Sequence, residues 1–185
     1  HLSIRRQRQM CIRDRAAAKS HKAQALAALI RRGASIAARN RQGHGVLQIA
    51  LATTSNADIE ATAKIAHILL DAGVPVDDAM LAEVQRIGRE FEFHRAGFNP
   101  DYLEATDAGL ASLYRLFGVT PVASRQLHDG KAAIRVADGS WHNQHQQLWQ
   151  LLVPSTGPAA TMQGEVIRLS AVSYTHLTLP TNREV

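Results

Sequence analysis

The chain has 185 residues, a formal net charge of +5, a pI near 9.9, one cysteine, and no apolar run long enough to span a membrane. A single cysteine excludes an intrachain disulfide framework, and 45% hydrophobic residues over this length suffice for a packed core. No signal peptide is visible, so a cytoplasmic location is expected.

The two ends of the chain share an origin that bears on its charge. A DNA strand encoding His1 to Arg15, its last base left open, reads Ala171 to Val185 on its complement, so one inverted repeat can encode both flanks. Arg5 to Arg15 resembles a translated transposon adapter of the kind used to build sequencing libraries. Vector-type scars stand outside fold reasoning, and residues 16–170 are then a fragment open at both ends. Over that span Lys and Arg number 15 and Asp and Glu 14, a net charge of +1. A near-neutral domain lacks the cationic footprint of a nucleic-acid binder. Cys11 leaves with its flank, and no thiol nucleophile remains.

In chain order, ALAALIRRGASI (25–36) and IAHILLDAGVPV (65–76) both read as an amphipathic helix closed by glycine. Gly33 and Gly73 stand where a helix ends in a left-handed residue, which glycine adopts cheaply. Ile65, Ile68, Leu69 and Ala72 fall at helical spacing as one apolar stripe, with His67 on the other side. Between the two helices, NRQGHGVLQIALA (40–52) predicts a turn and then a second apolar helix.

Together these segments resemble the ankyrin repeat over about 24–87. Asn40 and Gly43 fall at its turn, and GVLQIA (45–50) at its T-P-L-H-x-A signature. Leu47 and Ala50 match; Gly45, Val46 and Gln48 depart. TTSNADIE (53–60) stands as an insertion that stretches the repeat beyond its usual length of about 33 residues. Asp77 to Leu81 opens a further, degenerate repeat. The family stacks short helices that cannot bury their apolar faces alone, and it binds protein partners through turn tips and first helices. The resemblance therefore implies partner contact at Arg39, Arg41, Gln42 and His44, with the partner itself unknown.

After Gly88 the composition shifts. REFEFHRAGFNPDY (89–102) is rich in phenylalanine, and its Gly-Phe-Asn-Pro reads as a turn. Leu103, Leu110, Leu113, Leu116 and Phe117 predict a helix from Tyr102 to Phe117, stopped by Gly118. Two short runs flank Asp129-Gly130, the strongest short-range hairpin signal, and predict one β-hairpin. Trp141, His145, Leu148 and Leu152 then form a helical stripe ended before Pro154, with both Trp141 and Trp149 expected in the core. Residues 156–160 read as loop, and TMQGEVIRLS as the start of a last helix. LVPSTGPAATMQGEVIR (152–168) resembles a tail found on uncharacterised bacterial ankyrin proteins, which implies no chemistry.

Few residues invite catalysis. His142 and His145, three apart on one predicted helix, could share a metal with a carboxylate, yet they lack the fixed companions of zinc motifs. Asp129 is explained by its turn, and Glu165 with Arg168 by an i,i+3 helix pair. His145 is expected beside Leu148 and Leu152, with His142 in solvent. No phosphate-binding loop, nucleophile elbow or paired carboxylates appear. The reading is therefore a mainly α chain: adapter-derived flanks at 1–15 and 171–185, a short degenerate ankyrin-type helical stack at 16–88, and a helical module with one β-hairpin at 89–170. Its expected function is protein–protein interaction, with no cofactor, no metal, no catalytic residue, no nucleic-acid partner and no membrane. The alternative is a metal-dependent or other enzyme with its site in 120–170.

Overall fold

The computed structural model describes residues 16–177, with side chains described for 16–170. The adapter assignment for 1–15 and 178–185 lies outside the described residues. The chain is mainly helical, and no strand occurs among the described residues. Two compact units divide it, one of residues 16–92 and 98–123 and one of residues 93–97 and 124–177. The expected boundary at Gly88 falls inside a continuous helix.

The first unit opens with a helical turn at 16–19. Helices α1 (Ala23–Arg31), α2 (Val46–Ala52), α3 (Ile59–Asp71), α4 (Asp78–His94, its last two residues grouped with the second unit) and α5 (Pro100–Phe117) follow. α3 is central, packing on α1, α2 and α5. Its buried stripe is Ile59, Thr62, Ala63, Ile65, Ala66 and Leu69, wider than the predicted one, while Ala72 is exposed. His67 is exposed and pairs with Asp71 at 2.9 Å. α5 approaches α3 at glycine: a Cβ on Gly109 would lie 2.8 Å from the Glu60 Cα, so only glycine allows this crossing without backbone movement. Buried Thr54 and Thr62 satisfy each other, whereas the Nδ1 of buried His21 has no partner among the described residues. Thr54 donates to the Ala50 carbonyl at 2.7 Å and meets the Thr62 hydroxyl at 3.0 Å.

Three helix ends of this unit close alike. After α1, Gly33 N donates to Ile30 O and Ala34 N to Leu29 O; after α3, Gly73 N donates to Leu70 O and Val74 N to Leu69 O. Gly33 and Gly73 have φ of 83° and 87°, the left-handed closure expected of them. α5 ends the same way through Gly118, with Val119 N donating to Tyr114 O. Its start departs from expectation: Asn-Pro is not a free turn but the beginning of the helix. The Asn99 side chain accepts from Asp101 N at 3.0 Å, and Pro100 occupies the first helical position, where its missing N–H costs nothing.

The second unit contains α6 (Trp141–Leu152) and α7 (Met162–Leu177), which pack on each other. Ser140 caps α6 by accepting from Asn143 N, and Thr161 caps α7 by accepting from Gly164 N. The predicted β-hairpin is overturned. Asp129-Gly130 does form a turn, with Lys131 N donating to Asp129 Oδ1 and Gly130 at φ 78°. Its flanks, however, do not pair with each other. His128 N donates to the Leu151 carbonyl and Ala137 N to the Gln147 side chain, so backbone donors that a ladder needs are spent on α6. A two-stranded ribbon is marginal in water and loses to such partners. Trp141 is also misplaced by the core prediction, being 62% exposed at the open first turn of α6.

Candidate functional site

The turn at 40–43 is built by one side chain. Asn40 Oδ1 accepts from Gln42 N at 2.9 Å and His44 N at 2.8 Å, while Asn40 N donates to the His44 carbonyl. Gly43, at φ 84°, completes the reversal. Arg39 then donates from Nη1 to the Gly43 carbonyl at 2.8 Å, bracing the loop from its stem. The result is a hydrogen-bonded tip on which Arg39, Arg41, Gln42 and His44 are all exposed.

Behind the tip, Gln48 does the work of a capping residue. Its Oε1 accepts from Gly45 N at 3.1 Å, and its Nε2 donates to Asp77 Oδ2 at 2.9 Å. Asp77 in turn accepts from Met80 N through Oδ1 at 2.9 Å, which seats the start of α4. Gln48 thus ties the tip to the segment after α3.

This tie frames one wall of an open groove of about 400 Å³. Ile36, Val74, Pro75, Val76 and Met80 give it an apolar lining, and Arg39, Gln48 and Asp77 stand in its walls. Its size and mostly apolar character fit a binding cleft with a few orienting polar groups. Of the four predicted contact residues, the structure brings Arg39 into the groove lining and leaves Arg41, Gln42 and His44 on the tip. The apolar lining was missed because it joins residues far apart in the chain. The duplicated Gly-x-x-x run after each helix (33–36 and 73–76) was the available signal.

Charge is unevenly placed in this unit. Residues 16–57 hold six Lys and Arg and no acid, whereas residues 58–92 and 98–123 hold eleven acids against four Lys and Arg. Exposed Arg31, Arg32 and Arg41 have no ion-pair partner among the described residues. The tip therefore lies in a cationic stretch of a nearly neutral domain.

In the second unit His128, His142, His145 and Glu165 lie in separate environments. His128 Nδ1 accepts from Gly130 N at 2.9 Å. His142 is exposed; half-buried His145 meets Ser170 Oγ at 3.1 Å and the Trp141 ring edge-on at 4.9 Å. Glu165 accepts from Arg168 and from Ala159 N, and the guanidinium holds its carboxyl down at about 2. Among the described residues no group of three or more His, Cys, Asp or Glu is placed to hold a metal. No described helix is long and apolar enough to cross a membrane.

In comparison with known proteins, no family model, curated protein or solved structure matches the chain.

Proposed function

We propose that the first unit is a protein–protein interaction module of the ankyrin-repeat type, contacting its partner through Arg39, Arg41, Gln42 and His44. The observation that carries this reading is a tip held by its own hydrogen bonds at the rim of an apolar groove. A preorganised loop loses little entropy when a partner docks, so its side chains can spend their interactions on affinity. The adapter reading of 1–15 and 171–185 goes with it, leaving the tip as the chain's own binding feature rather than the arginines of the flank.

The test is a photo-reactive side chain introduced at Gln42, with exposed Arg89 as the control position. Expected is a discrete cross-linked protein from Gln42 only, lost in Arg41→Ala/His44→Ala while the helical circular dichroism stays unchanged. Equal capture from both positions, or persistence in the double variant, sinks the reading.

A further inference from the structure

We propose that the groove beside the tip receives an extended acidic protein segment, its apolar side chain seated between Ile36, Val76 and Met80 and its carboxylates facing Arg39, Arg41 and His44. This rests on the tip being the contact surface, and it names the chemistry of what binds there. Charge complementarity and shape both favour such a segment. Forty-two consecutive residues, 16–57, carry cations and no acid, and they include the whole tip and its stem. Val76 stays 42% exposed at the groove, beside half-buried Ile36 and Val74. An aliphatic or aromatic side chain laid there removes apolar surface from water, while carboxylates next to it meet guanidinium groups suited to paired donation.

The same features select against a nucleic acid. A phosphate backbone would set a charge beside Asp77 all along the groove, whereas a segment that alternates apolar and acidic side chains can lay an apolar one there. Asp77 instead limits where the acids of the segment can lie. Its two oxygens accept from Gln48 and from Met80 N, which fixes the carboxylate in the wall. The carboxylates belong beside the cations of the tip.

The test uses the full chain and four fluorescent probes of equal length: peptides alternating glutamate with leucine, lysine with leucine and glutamate with serine, and an oligothymidylate. The glutamate–leucine peptide should bind best, and its affinity should fall as salt rises from low to physiological. Reversal of one rim charge, Arg41→Glu, should weaken it by roughly threefold to tenfold, as expected for exposed pairs. Val76→Ser should bring the glutamate–leucine and glutamate–serine peptides level. Thermal melts confirm that both exposed-site variants keep their fold. Preference for the lysine peptide, or for oligothymidylate, overturns the proposal, and so does absence of any peptide binding. A Gln42 cross-link to a basic or neutral partner would overturn this proposal while leaving the tip as the contact surface.

Discussion

The two units of the chain hold themselves together by different means. In the first, a continuous apolar cluster runs from Ala17 to Phe117 and includes Leu26, Leu47, Ile65, Leu69, Phe91 and Leu113 at almost no exposure. In the second, Leu152 and Val153 are the buried aliphatic side chains among the described residues, while Leu127, Trp141, Met162, Val166 and Leu169 remain exposed. Directed polar contacts fill part of that gap. Arg125 donates to the carbonyls of Trp149, Gln150 and Val153 at the end of α6, and to that of Phe93, over whose ring it lies at 4.2 Å. Apolar burial tolerates small displacements, whereas a fan of hydrogen bonds requires its one donor in place.

The sharpest way to break the contrast is by truncation. Leu69→Ala should cost about 3 kcal/mol in the first unit, because its surroundings are held by neighbouring helices and leave a cavity. Leu152→Ala should cost about 2 kcal/mol, the low end for such changes, since a thin shell collapses more easily. Hydrogen exchange resolved to α3 and α6 separates the two effects. Equal loss of protection in both helices from either variant would mean that the units unfold as one.

Arg125 supplies the complementary test. Burial lowers its pKa, yet a guanidinium stays charged, so its contribution is geometric. Arg125→Lys keeps the charge but cannot reach several carbonyls at once, and should cost the second unit about 1–2 kcal/mol. The readout is faster exchange in 141–152 with α3 unchanged. Full rescue by lysine would show that charge alone matters.

Glycine closures mark what was legible in the sequence. Gly33, Gly73 and Gly118 were readable because a helix stop is local chemistry: an apolar run, then the one residue that accepts positive φ. Gly73→Val should therefore cost about 1–2 kcal/mol by forcing a β-branched residue into that region, whereas Gly45→Val, at φ −79°, should not carry that penalty. The groove was not readable, since Ile36, Gln48, Val76 and Met80 meet only after folding. The false hairpin shows the same limit from the other side. Asp129-Gly130 encodes a turn, but nothing local says that Leu151 and Gln147 will take the donors of its flanks.

pH sharpens the polar half of the contrast. Glu165 has its carboxyl held at about 2 against an ordinary 4.5, first by the hydrogen bond from Arg168 and then by Ala159 N. A depressed folded pKa means stability present above pH 4.5 and lost as pH falls toward 2. Glu165→Gln should lower the melting temperature of the second unit slightly at neutral pH, and the two proteins should converge near pH 2. Salt should shrink the gap, as for any exposed pair. A gap independent of pH would assign Glu165 a packing role instead.

The smallest effect is expected from the largest deletion. If one inverted DNA repeat wrote both 1–15 and 171–185, neither segment was selected to pack, and α7 continues past Ser170 only because its residues permit a helix. Removing both flanks should then leave the melting temperature of the first unit within about a degree or two. It should also remove the five arginines before Ala16, with Arg183, and so lower non-specific retention on a polyanion resin, without touching binding at the groove. A drop of about 5 °C, roughly 1 kcal/mol for a domain of this size, would show that the flanks carry part of the core. A peptide affinity that vanished with them would move the cationic surface from the tip to residues 1–15.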